Sequence, residues 1–274
     1  MLPLKDNIPT ERTAIVTIAL IVANVLIYFI WQKGGILHGP GDKVVVNWAA
    51  IPYEFTHWGK HCGVRVLLEP LHQIARAPGP VCEGQVVHTS LGAETVKHVV
   101  GSQPPTIATA FSAMFMHGSI VHLGGNMLFL WIFGNNVEDS MGRVRFIVFY
   151  LLGGLAALAG QILVGPNAAV PTLGASGAIA AVLGGYLLLF PRARVITVIF
   201  IIFFFTIVEL PAILILGFWF LQQILFGATD LTNPTGGGGG VAYFAHIGGF
   251  AFGLLMIRAF AQREKQVPPR LPVY

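Results

Sequence analysis

The chain has 274 residues, of which 55% are hydrophobic and only 10% charged, with a mean hydropathy of +0.73. A soluble domain carries about 25% charged residues, so the composition excludes a soluble protein and points to an integral membrane one. The net charge of +4 gives no case for nucleic acid as a partner.

A membrane-crossing helix needs roughly 20 largely apolar residues. Residues 1–13 carry Lys5, Asp6, Glu11 and Arg12 and read as a short cytoplasmic N-terminus. Residues 14–31 are the first expected span. No small-residue cleavage site follows them, so they do not read as a signal peptide. Residues 34–103 form a long polar insertion of mixed charge that contains both cysteines, Cys62 and Cys82. Residues 111–133 are the second span, with Ser119 a candidate N-cap and Gly134-Asn135-Asn136 as its stop. A charged turn leads into the third span, 146–164. An uncharged link then leads into the fourth, 173–190, closed by Pro191-Arg192-Ala193-Arg194.

Residues 195–208 are continuously apolar and rich in β-branched residues and phenylalanine. Two readings stay open. One is a loop or hairpin at the membrane surface, followed by a fifth span over 211–226. Pro211 then suits the first helical turn, and Glu209 suits its positive end. The other is one long helix that buries Glu209 in lipid, which would make it a functional candidate. Residues 229–240 end in five glycines, residues 241–260 are the sixth span, and 261–274 are a short polar tail.

The expected fold is an all-α polytopic membrane protein, a six-helix transmembrane bundle over residues 14–260. Six spans put both termini on one side. Arg143, Arg145, Arg192, Arg194, Arg263, Lys265 and Arg270 then share that side, and the two short opposite links carry no Lys or Arg. The positive-inside bias makes both termini cytoplasmic in a multi-pass cell-membrane protein.

Three stretches carry chemistry. Ser176 sits between glycines in Gly174-Ala175-Ser176-Gly177, where the fourth span begins. Ser176, Ala180 and Gly184 share one helical face, the kind that admits a close neighbour. In the sixth span His246, Gly249 and Gly253 share another. If these faces pack, His246 meets Ser176 and can take its proton, which is what a serine nucleophile needs. No Asp or Glu in the spans is placed to orient His246, so a dyad is expected, not a triad. Acyl transfer also needs donors for the oxyanion. His122 and Asn126, four apart in the second span, offer side chains, and Ser176 offers its backbone N–H. With the expected topology all these groups lie near the outer face.

At these residues the chain resembles the rhomboid family of intramembrane serine proteases. HGSIVHLGGN at 117–126, GASG at 174–177 and AHIGGFAFG at 245–253 carry the resemblance, and it covers residues 109 to about 260. It implies Ser176 as nucleophile and His246 as general base, with His122 and Asn126 stabilising the oxyanion. It also implies Gly174 as the glycine shaping the turn, His117 in a structural role, and Gly249 and Gly253 as a packing surface. The implied substrates are single-span membrane proteins, cut near the outer face of the bilayer. No cofactor is called for. The pentaglycine run would be a mobile link at the rim of the site.

The insertion is longer than in compact family members and rich in histidine. His57, His61 and Cys62 fall short of the four spaced ligands of a zinc site, so no metal is expected. In an oxidising extracytoplasmic loop Cys62 and Cys82 are a disulfide candidate. Two other classes of function stand against the protease. A catalytically silent relative that binds membrane clients would be expected to lose Ser176 or His246. A transporter would want paired charges or broken helices at the midplane.

Overall fold

The computed structural model describes residues 2–69, 73–89, 92–101, 103–201, 204–232 and 241–262. The pentaglycine link (236–240) and the tail from residue 263 lie outside these residues. The helices are α1 (Ile15–Leu26), α2 (Asp42–Trp48), α3 (Pro52–Thr56), α4 (Thr106–Ser112), α5 (Ile120–Phe129), α6 (Asn135–Met141), α7 (Arg143–Val164), α8 (Ser176–Leu189), α9 (Ala212–Thr232) and α10 (Tyr243–Phe260). The strands are β1 (Leu2–Asp6), β2 (Cys62–Glu69), β3 (Gln73–Cys82), β4 (Val86–Thr89), β5 (Gly92–Val99), β6 (Arg194–Ile201) and β7 (Phe204–Pro211).

This corrects the expected all-α, six-helix bundle. Among the described residues there are two sheets, one of three strands ordered β1-β6-β7 and one of four ordered β3-β2-β5-β4. Among the described residues three helices are long and apolar enough to cross a membrane: α7, α9 and α10. A fourth span forms if Thr106–Phe115 and Ile120–Met141 are counted as one broken span. The expected second span is therefore interrupted at 116–119, where Ser119 Oγ accepts the His122 N–H at 3.1 Å and starts a new helix. The fourth expected span is a helix of 14 residues. At 1.5 Å per residue it reaches only about 21 Å of a roughly 30 Å hydrocarbon core. Its residues from Gly177 to Tyr186 are all buried, so neighbouring protein, and not lipid, sets its length. The inference that both termini share a side relied on a count of six.

The chain divides into two compact units, residues 1–23, 124–157 and 176–274 in one, and 24–123 and 158–175 in the other. In the first unit α8 packs against α10 through small residues. A methyl built on Gly249 would fall on the Gly177 carbonyl oxygen, and one on Gly253 on the Ala181 carbonyl oxygen. The two backbones therefore touch where the sequence has no side chain to keep them apart.

Residues 195–208 adopt the hairpin reading. β6 and β7 pair antiparallel from Arg194↔Pro211 to Ile201↔Phe204. β-branched and aromatic residues fit a pleated surface better than a helix, and Pro211 closes the ladder. Glu209 lies opposite Ile196 in β7, its carboxylate 3.8 Å from the Arg194 guanidinium and half exposed. It is not buried in a long helix. The N-terminal strand β1 adds to β6, with Leu2 opposite Val198. Asp6 at its end is buried and accepts hydrogen bonds from the Tyr186 hydroxyl at 2.6 Å and Asn136 Nδ2 at 2.8 Å. Nearby, the buried Glu138 carboxylate caps the start of α1. It accepts from the backbone N–H of Val16 (3.1 Å) and of Thr17 (2.7 Å), and from Thr17 Oγ1 (2.8 Å).

In the second unit the polar insertion is a four-stranded antiparallel sheet made of two hairpins, β2-β3 and β4-β5, joined through β2 and β5, with two short helices. Cys62 and Cys82 face each other across β2 and β3 and are joined by a disulfide. They pack with Val46, Ile51 and Tyr53 in one apolar cluster, and Val66, Leu68 and Val96 form a second. The alternation of buried residues along β2 and β5 marks half-buried strands.

Candidate active site

Ser176 is the first residue of α8. Ahead of it Gly174 has φ +127°, a conformation that strains any residue with a Cβ. Its N–H donates to the Ala113 carbonyl at 2.8 Å, which fixes the approach to the turn. On α10 the face that carries Gly249 and Gly253 also carries His246, one turn nearer the N-terminus. Glycine contact between the helices therefore brings the imidazole to the start of α8.

His246 Nε2 lies 2.8 Å from Ser176 Oγ, within hydrogen-bond distance. The other ring nitrogen, Nδ1, lies 2.8 Å from Gln223 Oε1. Gln223 is buried on α9, and its Nε2 donates to the Trp219 carbonyl at 3.2 Å. The Trp219 ring flanks the imidazole with centroids 5.7 Å apart. Serine, histidine and glutamine thus form a hydrogen-bonded chain across three helices. In chemical terms this is an alcohol beside a base whose far nitrogen is held.

Sequence reasoning missed Gln223. A third member need not be a carboxylate, since an amide oxygen also accepts from a ring N–H. The available signal was a pair of glutamines, Gln222 and Gln223, inside an apolar span, where polar side chains call for a reason.

Asn126 is buried in the same unit as Ser176. His122 and His117 belong to the other unit. There His117 is fully buried, and its ring meets that of His122 edge to face at 5.1 Å. Gln32, another residue not singled out from sequence, holds the His117 backbone from both sides. Its Oε1 accepts the His117 N–H at 2.9 Å, and its Nε2 donates to the His117 carbonyl at 3.1 Å.

A family model described as the rhomboid domain matches residues 104–263, which include all three motif blocks and Gln223. The chain belongs to the rhomboid family. Rhomboid protein 1, mitochondrial, of Saccharomyces cerevisiae is 33% identical over 170 residues, covering 58% of this chain and 42% of that protein. Presenilin-associated rhomboid-like protein A, mitochondrial, of Danio rerio is 29% identical over 155 residues, covering 56% and 36%. RHOMBOID-like protein 4 of Arabidopsis thaliana is 33% identical over 146 residues, covering 53% and 32%. This rhomboid spans well under half the length of these relatives. Family membership and its apolar helices make it a membrane protein.

Proposed function

We propose that this rhomboid is an intramembrane serine endopeptidase that cuts single-span membrane proteins. The observation that carries the reading is the 2.8 Å approach of His246 Nε2 to Ser176 Oγ at the start of a buried helix. Ser176 Oγ attacks the scissile carbonyl as its proton passes to His246 Nε2. The oxyanion is met by the Ser176 N–H and the Asn126 side chain. His246 then protonates the leaving amine, and water, activated by the same base, hydrolyses the acyl-enzyme. A helical substrate hides its carbonyls in hydrogen bonds, so it must unwind before attack.

In this reading the site opens on the extracytoplasmic side of the cell membrane, with residues 34–103 on that side and the termini cytoplasmic. The Cys62–Cys82 disulfide supports an oxidising compartment for the insertion. The test is cleavage of a single-span substrate in proteoliposomes by the native protein, Ser176→Ala and His246→Ala. A cut near the outer face by the native protein alone supports the proposal. Equal cutting by the variants overturns it.

A further inference from the structure

The contact between Gln223 and His246 fixes more than a distance. The Trp219 carbonyl oxygen can only accept a hydrogen bond, so the Gln223 group facing it at 3.2 Å must be the NH2. The other end of the amide, Oε1, therefore faces His246 Nδ1 at 2.8 Å. Oε1 can only accept as well, so Nδ1 must carry the ring proton. In the neutral ring Nε2 then keeps its lone pair, directed at Ser176 Oγ. A backbone carbonyl of α9 thus sets an amide, the amide sets the histidine tautomer, and the tautomer makes Nε2 the basic nitrogen.

We propose that Gln223 is the positioning residue of this site, holding His246 as the Nδ1–H tautomer with Nε2 turned to Ser176. The inference rests on the protease reading for its catalytic consequence, but not for its structural content. Gln223 does not touch the reacting atoms. It acts through His246 by restricting the ring to the one rotamer and tautomer in which Ser176 can lose its proton. An uncharged amide does this without adding a buried carboxylate, whose ionised form would have to be compensated in an apolar span.

The decisive experiment has two readouts on the full chain. The first is the pair of ¹⁵N chemical shifts of the His246 ring, which separate a protonated from an unprotonated nitrogen. The native protein is expected to show Nδ1 protonated, and Gln223→Leu a mixture of tautomers. A native ring protonated at Nε2 overturns the proposal, whether or not the protein cuts anything. The second is the kinetics of substrate cleavage. Gln223→Leu is expected to lower kcat by roughly 10–100-fold with KM little changed, the scale of removing a group that orients a reacting one. Gln223→Glu keeps an acceptor oxygen toward Nδ1 and should recover most of that loss. Equal kcat in Gln223→Leu and the native protein would overturn the proposal. So would a loss in Gln223→Glu as deep as in Gln223→Leu while both remain folded. If the native protein and Ser176→Ala cut alike, the protease reading fails, while the ¹⁵N result still decides the tautomer.

Discussion

Ala50 and Thr172 exchange a reciprocal pair of backbone hydrogen bonds, at 3.0 Å from the Ala50 N–H and 2.8 Å from the Thr172 N–H. Ala50 belongs to the insertion, and Thr172 lies two residues before Gly174. Close by, the Tyr53 N–H donates to the Ala168 carbonyl at 3.1 Å, and Thr56 Oγ1 donates to the Pro166 carbonyl at 2.6 Å. The insertion therefore braces the link that delivers the chain to the glycine turn. Ala50→Pro removes one of the two N–H groups and should weaken this brace by about 1 kcal/mol or more. The expected result is slower fluorophosphonate labelling of Ser176, with the spans still folded by circular dichroism. Unchanged labelling would mean the brace is idle.

The disulfide closes a loop with a sequence separation of 20 and lies inside the cluster that anchors this brace. Its removal should cost about 3 kcal/mol by the chain-entropy estimate for a loop of that size. Thermal unfolding with and without reductant, compared with a Cys62→Ala/Cys82→Ala double variant, measures it. The two treatments should lower the melting temperature alike.

Glu54 gives the insertion a pH dependence. Burial pushes its carboxyl up from an ordinary 4.5, and Glu83 adds to this; the Cys62 N–H and His61 pull it down without reversing the shift. A raised folded value means that the folded state binds more protons than the unfolded one. Stability is then fullest below 4.5 and falls as pH rises from there through the folded value. Urea unfolding between about pH 4 and 7 should show the decline. Glu54→Gln, which can still accept from Cys62, should flatten it.

Gly249→Ala and Gly253→Ala each place a methyl on a backbone oxygen of α8. Each should cost about 1–3 kcal/mol and move His246 away from Ser176. Gly217→Ala on α9, where nothing lies within 4 Å, is the control and should be neutral. Thermal unfolding and active-site labelling, measured together, report both effects.

Glu138→Ala removes the acceptor for two N–H groups and a hydroxyl at the start of α1. Charged acceptors of this kind contribute more than neutral ones, so a loss on the order of 3 kcal/mol is expected. Hydrogen exchange at Val16 and Thr17 should rise before exchange in α8 does.

The pairing of Ser176 with His246 was legible because small residues four apart mark faces that pack closely, and both faces carry a polar residue at one end. The number of spans was not. Hydropathy windows treat every apolar stretch as lipid-exposed, and α8 is apolar because protein surrounds it. Residues 195–208 were ambiguous for a related reason. A stretch with no charged residue and only Thr197 and Thr206 polar shows neither the period of a strand nor that of a helix. In the insertion the alternation in Cys62–Glu69 was present, but mixed charge and glycine made the region read as a loop. Gln223 escaped because its role depends on which atom of the amide faces the ring, and that is set by the turn of α9.

The pairing of Leu2 with Val198 has a consequence for biosynthesis. At about 5–20 residues per second, β1 leaves the ribosome some 10–40 s before its partner β6 exists. Over that interval Asp6 has neither Tyr186 nor a completed sheet to receive it. The N-terminal strand is therefore a late closure, added after the central helix has been made, and not a nucleus. A chain stalled before residue 194 would hold Ser176 and α8 but leave β1 unclosed, a marker by which a nascent rhomboid could be told from a finished one.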